Sequence, residues 1–198
     1  MKNEKMKQSE RYSHIGMHSK SNKVYARQYK EAFDILFEAN NPVDTIALPM
    51  LYLMRHYLEL TLKNYIEYYN TFSDSSAMKS ALKSDHNLDK LVKGFQEHWL
   101  SVVKKHSLTI DGKKKLSRLK QLIESISKID SVSTDFRYSH DKEGEKNFSH
   151  FKIIDISSLK KNVEEIASIF EELHYVFYSE IGCHLEIEKE MYDKEYLK

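Results

Sequence analysis

The longest apolar stretch of the chain runs from Leu48 to Ile66 and reads LPMLYLMRHYLELTLKNYI. It is rich in Leu and Met and is too long for a single strand, so it is predicted to be a helix. A helix that is apolar on almost all sides belongs in the middle of a bundle. Pro49 is expected in its first turn, where a missing N–H costs nothing. The polar residues that interrupt the stretch are Arg55, His56, Glu59, Thr61, Lys63 and Asn64.

Further stretches of the chain repeat their apolar residues at helical spacing. With the central helix included, helices are predicted over residues 21–39, 44–69, 88–103, 116–129 and 159–177. Asn40-Asn41-Pro42 ends the first of them. Asp85 is a candidate N-cap for the third, and Ser157 or Ser158 for the last. The pattern therefore predicts an all-α protein with a long loop before the last helix.

Three segments lack this helical pattern. Residues 1–20 are polar and predict a flexible N-terminal arm, whereas residues 183–198 predict a charged C-terminal tail, which leaves 21–182 as the helical domain. The longest patternless stretch inside the domain extends from Asp130 to Asp155. Loops of such length in compact domains are usually functional or disordered. Because this one carries several aromatic residues, we expect it to pack against the helices.

Composition narrows the function classes. The 31 Lys and Arg balance the 30 Asp and Glu to a net charge of +1, so no overall basic field indicates nucleic acid. One Cys excludes an internal disulfide, and no Cys/His spacing resembles a zinc site, so neither metal nor cofactor is expected. Without the apolar core of a signal peptide, the N-terminus predicts a cytoplasmic protein. A membrane span is rejected, because Arg55 alone would cost roughly 2.5–3.5 kcal/mol at the bilayer centre.

A stripe of charge follows one side of the central helix. Arg55, Glu59 and Lys63 are spaced i, i+4 and i+8, and His56 lies beside them. Charges on a central helix are costly unless they are paired or face a wet cleft. Two interpretations therefore stay open: an internal ladder of ion pairs that fixes the helix register, or the floor of a functional groove.

Two more segments carry unusual polar groups, and together the three point to a family. The run RHYLELTLK, beginning at Arg55, is followed by HNLDKL at His86 and by DFRYSHD at Asp135. These motifs, in this order, resemble the HEPN superfamily, and in particular a branch of uncharacterised bacterial members. The resemblance covers about Tyr25 to Asp141.

The resemblance implies an up-and-down bundle of four to five helices that pairs into a homodimer across its functional groove. Many members of the family are metal-independent endoribonucleases of toxin–antitoxin and phage-defence systems. In their motif, a His transfers protons and an Arg grips the phosphate. The family's usual spacing of an Arg, four to six residues and then a His is absent from Arg55 and from Arg137.

The candidate site consists of residues from all three motifs. The predicted catalytic residues are Arg137, His140, Arg55, His56 and His86; the predicted phosphate- or RNA-binding residues are Lys63 and Tyr138; and the predicted orienting residues are Glu59, Asp135 and Asp141. If these segments converge, two Arg, one Lys and up to three His form a site suited to an RNA backbone. The alternative is that the carboxylates pair with Arg55, Lys63 and Arg137 and only fix the loop to the bundle.

Two functions are therefore hypotheses for this chain. The first is a HEPN-like, metal-independent ribonuclease that targets RNA in bacterial defence or as a toxin. The second is a non-catalytic helical module that binds RNA, a nucleotide or a partner protein such as an antitoxin. The absent Arg-to-His spacing and the near-neutral charge favour the second hypothesis, whereas the motif order favours the first.

Overall fold

The computed structural model describes residues 21–76, 85–108, 112–130, 135–140, 143–148, 153–182, 184–185 and 187. Over these residues the protein is all-α, which confirms the predicted fold class. The five helices are α1 (Asn22–Glu38), α2 (Val43–Asn70), α3 (Leu88–Lys105), α4 (Lys113–Ser127) and α5 (Ile156–Phe177), and a π-helical turn, Tyr178–Gly182, continues α5. The predicted N-terminal arm and most of the predicted tail lie outside the described residues.

Helix α2 is the centre of the bundle, as its apolar sequence predicts. It packs against α1, α3 and α5. Leu58, Leu62 and Ile66 on α2 are fully buried. Because α2 begins at Val43, Pro49 lies well inside the helix, and its expected place in the first turn is wrong. A proline there leaves the helix without one backbone hydrogen bond.

The observed helix caps differ from the expected ones by a few residues. Asn87 caps α3, since its side chain accepts a hydrogen bond from the backbone N–H of Lys90 at 3.0 Å. Asp85 instead accepts the backbone N–H of Asn87 at 2.8 Å. Asp155 caps α5 by accepting the N–H of Ser158 at 3.0 Å. In both cases the residue immediately before the first helical position supplies the cap.

The lysine-rich start of α4 is tied to α5. Arg118 donates to Glu165 through Nε and Nη2, at 2.6 and 2.7 Å, and Lys115 donates to Glu172. These cations therefore belong to a clamp between two helices on the surface of the bundle. No helix among the described residues is long and apolar enough to cross a bilayer.

Candidate functional site

The charged stripe of α2 forms a buried network centred on Glu59, whose residue is only 2% exposed. Lys63 Nζ donates to Glu59 Oε1 at 3.0 Å, and Arg55 Nη1 lies 3.4 Å from Glu59 Oε2. Burial alone would raise the pKa of Glu59, but hydrogen bonds from Lys63 and His86 outweigh it and hold that pKa below its usual range. Arg55, Glu59 and Lys63 therefore form an internal ladder of ion pairs along α2.

Arg55 has two further partners outside α2. Its Nη2 donates to the backbone carbonyl of His86, and its Nε lies 4.0 Å from Oδ2 of Asp130. Asp130, which the sequence patterns did not single out, is as deeply buried as Arg55. Burial lowers the pKa of Arg55, and the charges of Glu59 and Asp130 oppose that shift. Arg55 therefore joins α2 to the start of α3 and the end of α4.

His86 connects this buried network to the surface. Its Nδ1 lies 2.8 Å from Glu59 Oε1, while 53% of its side chain is exposed. A carboxylate on one ring nitrogen fixes the tautomer and the orientation of an imidazole and leaves the other nitrogen for chemistry. His86 and Glu59 thus have the geometry of a general acid or base and its orienting group.

His56 occupies a different environment, between two tyrosine rings. The ring of Tyr29 meets it edge-on at a centroid distance of 4.4 Å, and that of Tyr52 stacks on it at 5.6 Å. Burial is the main cause that lowers the pKa of His56, and the nearby charge of Arg137 adds to the decrease. A neutral, half-buried ring in an aromatic sandwich is consistent with a packing role.

The loop that carries the DFRYSH motif lies at the same end of the molecule as the polar stripe. Arg137 Cζ is 5.8 Å from the ring centroid of Tyr52 and 5.6 Å from that of Tyr138, within the range of cation–π contacts. The charge of Arg137 also contributes to the lowered pKa values of Arg55 and His56. The central helix and the loop therefore converge, as the candidate site requires.

The loop encloses a pocket of about 370 Å³ next to α2. Its polar lining residues are Asp135, Arg137, Tyr138, Ser139, His140, Lys146 and Asn147. Asn147 makes two hydrogen bonds within the loop. Its side-chain amide donates to the backbone carbonyl of Tyr138 at 2.9 Å, and its backbone N–H donates to the backbone carbonyl of Ser139 at 3.0 Å. His140 Nδ1 lies 3.0 Å from Ser139 Oγ. Because Arg137 and Lys146 outnumber the one carboxylate, Asp135, the lining of this pocket suits an anion.

An aromatic pair anchors the same loop. Phe136 is buried, and its ring stacks on that of Phe148 at 5.7 Å. Phe148 has a φ of 53°, which is unusual for a bulky side chain and costs of order 1–3 kcal/mol. Strained residues of this kind are more frequent at functional sites than elsewhere.

The predicted site residues thus fall into two adjoining groups. Arg55, Glu59, Lys63 and His86 form the buried network with its exposed imidazole, and Asp135, Arg137, Tyr138 and His140 line the loop pocket. His56 lies between the groups, and Asp141 lies outside the described residues. Sequence patterns missed Asp130, Tyr52, Lys146 and Asn147. Of these four residues, only Tyr52 could have been found from the sequence, because it lies one turn before His56 on the same face of the helix.

Among the described residues, no three His, Cys, Asp or Glu side chains are placed to hold a metal ion. The sequence matches no protein-family model, and neither a curated protein nor a solved structure matches it. The resemblance to the HEPN superfamily therefore stays a prediction, and a function for this chain has to be inferred from the geometry of the site.

Proposed function

We propose that this protein is a HEPN-like, metal-independent endoribonuclease whose acid–base residue is His86. The observation that supports the proposal most strongly is the 2.8 Å contact between His86 Nδ1 and buried Glu59, together with the 53% exposure of the His86 side chain. An exposed imidazole oriented by a buried carboxylate fits proton transfer near neutral pH.

The proposed reaction uses the RNA's own nucleophile. His86 takes the proton of a ribose 2′-OH as its oxygen attacks the adjacent phosphorus, and the bond to the 5′ oxygen breaks. His140 protonates that leaving oxygen, so the products are a 2′,3′-cyclic phosphate and a 5′-OH. Arg137 and Lys146 neutralise the charge that develops on the phosphate.

The spacing along α2 is compatible with one RNA strand. Tyr52, which Arg137 contacts, and Glu59, which His86 contacts, are seven residues apart on the helix. At 1.5 Å per residue the two positions are separated by about 10 Å along the axis. An RNA strand that lies along α2 would therefore extend from the Arg137 loop to the His86 ring.

The experiment compares cleavage of a labelled RNA with that of a DNA of the same sequence, in EDTA. The full chain is expected to cleave the RNA into products with a cyclic phosphate and to leave the DNA intact, because DNA lacks the 2′-OH. His86→Ala is expected to slow cleavage by about 10²–10⁴-fold. His184→Ala, at an exposed histidine outside the site, serves as the matched control. Intact RNA after hours at micromolar protein, or an unaffected His86→Ala variant, would rule out the nuclease.

The second candidate function is a non-catalytic module that binds an RNA backbone. This function is favoured because Arg55 and Lys63 form ion pairs with Glu59 inside the bundle and do not face an RNA substrate. In that case the loop pocket binds a phosphate through Arg137 and Lys146 without a reaction. Arg137→Ala would then weaken RNA binding while no product forms with any variant. A steep loss of affinity with salt would indicate phosphate contacts, and a flat dependence would indicate a protein partner such as an antitoxin.

We extend the proposal to the setting of the protein: a cytoplasmic homodimer that acts on RNA in bacterial defence, with an antitoxin as its partner. An exposed apolar surface beside the loop pocket supports the dimer. Val43, Leu48 and Phe148 line a second, smaller cavity there, and Leu48 and Phe148 also line the loop pocket. Apolar side chains next to a polar site suit a contact between two copies.

A further inference from the structure

A separate groove of about 580 Å³ lies between α1, α2 and α5. It shares no lining residue with the loop pocket. One face of α2 forms its floor, with Tyr57, Thr61, Asn64, Tyr65 and Tyr68 at helical spacing. The volume falls within the range of small-molecule sites, about 300–1,000 Å³. The function proposed above does not use this groove.

Cations from α1 form one rim of the groove. Lys23, Arg27 and Lys30 are spaced i, i+4 and i+7 and therefore share a face of the helix. Lys30 forms an ion pair with Asp34, with 2.6 Å between Nζ and Oδ2. Arg27 lies 3.8 Å from Glu31, and both of these side chains are largely exposed, so this pair is weak. Lys23 makes no ion pair with any residue that the structure describes, which leaves Lys23 and Arg27 to hold an anion.

The floor offers an amide with unused hydrogen-bonding capacity. Asn64 is half-buried, and its side chain makes no hydrogen bond within the described part of the chain. Its neighbour Thr61 is buried and lines the same floor. An amide presents a donor and an acceptor in one plane, the pattern that pairs with the edge of a heterocycle such as adenine.

Tyrosine rings also line the groove. The ring centroid of His174 lies 5.0 Å from that of Tyr68 and 6.2 Å from that of Tyr178. The ring of Tyr65 stacks on that of Phe170 at a centroid distance of 4.7 Å. Rigid aromatic faces bind planar ligands at a low cost in conformational entropy.

We propose that this groove binds a small planar heterocycle that carries one anionic group, of which a nucleoside monophosphate is the simplest example. Asn64 reads the edge of the ring, the tyrosines contact its faces, and Lys23 and Arg27 hold the anion. Two carboxylates, Glu31 and Glu171, also line the groove. Glu31 competes with the anion for Arg27, and the two carboxylates together oppose a polyanion such as an RNA strand more strongly than a single phosphate.

The test is calorimetric titration of the full chain with AMP, adenosine and inorganic phosphate. AMP is expected to bind more tightly than either part alone, because the ring and the anion occupy different ends of one groove. Replacing Lys23 and Arg27 together by Gln is expected to weaken AMP binding roughly tenfold or more and to leave adenosine binding unchanged. Asn64→Leu is expected to weaken AMP and adenosine binding alike. Lys104→Gln, at an exposed lysine of α3, is the control.

Arg137→Ala separates this inference from the proposed nuclease site. AMP affinity is expected to be unchanged in Arg137→Ala, and RNA cleavage is expected to be unchanged in Asn64→Leu. Since Lys23 and Arg27 are surface residues, their double variant gives a result even if Asn64→Leu folds poorly. The inference is overturned if AMP binds no better than phosphate, or if its affinity depends on Arg137 and not on Lys23 and Arg27.

Discussion

Glu59 is the residue on which the interior of the site depends. Three nitrogen groups surround its carboxylate, from Arg55, Lys63 and His86, at distances between 2.8 and 3.4 Å. A buried ion pair gains little over apolar residues of the same volume, yet loss of one partner leaves a charge uncompensated. The network therefore contributes more to the placement of His86 than to net stability.

Replacement of this carboxylate tests its structural role. Glu59→Gln keeps the shape but leaves Arg55 and Lys63 without their shared counter-charge, so the free energy of unfolding is expected to fall by about 3–5 kcal/mol. Urea denaturation measures it. Glu97→Gln, at an exposed glutamate of α3, is expected to change stability by less than about 0.5 kcal/mol. Equal effects of the two substitutions would contradict the network.

The lowered pKa of Glu59 predicts loss of stability in acid. The unfolded chain protonates Glu59 near its ordinary pKa of 4.5, while the folded protein does so only at lower pH. The contribution of Glu59 is therefore complete above pH 4.5 and is lost as the pH falls through the folded value. Urea titrations at several acidic pH values should show a shallower decline in Glu59→Gln than in the wild type.

His56 predicts a pH effect in a higher window. Its pKa is lowered by burial from an ordinary value of 6.5, so the unfolded chain binds the proton first as the solution is acidified. Stability is expected to decrease below about pH 6.5, and His56→Leu should remove that part of the decrease. Denaturation at pH values on both sides of 6.5 measures the difference. An unchanged pH profile in His56→Leu would show that the ring does not titrate in this way.

At the scale of elements, the start of α3 decides where the proposed catalytic ring lies. His86 directly precedes the N-cap residue Asn87, and its carbonyl accepts a hydrogen bond from Arg55 on α2. The cap of one helix and the charged stripe of another thus fix the same residue from two sides. Loss of the cap is expected to disturb function as well as stability.

Substitution of the cap distinguishes these contributions. Asn87→Ala removes the acceptor for the N–H of Lys90 and is expected to lower the free energy of unfolding by about 0.5–2 kcal/mol. RNA cleavage should fall as well, because His86 loses one of its constraints. Asn87→Ser restores a capping oxygen and should recover most of the stability and most of the RNA cleavage. A Ser variant as defective as Ala would show that the side chain of Asn87 acts in another way.

At the scale of the whole molecule, an apolar surface lies beside the loop pocket. Val43 and Leu48 on α2 and Phe148 of the loop are exposed, and all three line one small cavity. Exposed apolar side chains that cluster next to a site are typical of a contact surface. The proposed homodimer would cover this surface and bring two loop pockets close together.

Light scattering tests the proposed dimer. The full chain is expected to have twice the mass of one copy, and Leu48→Glu is expected to shift it to the monomer, since a buried unpaired charge opposes association. Leu100→Glu is the matched control, because Leu100 is similarly exposed but lies on α3. A monomeric wild type, or equal effects of the two glutamates, would contradict a dimer at this surface.

The sequence by itself determined the five helices and the central place of α2, because helical periodicity is local and an all-round apolar helix has to be buried. It also predicted that Arg55, Glu59 and Lys63 share one face. Only the tertiary structure decided that this face is paired internally, that Asp130 contributes to it, and that Arg137 contacts Tyr52. The groove between α1, α2 and α5 depends equally on the fold. These contacts join residues far apart in the chain, and a periodic pattern specifies which face of a helix is buried but not which partner it meets.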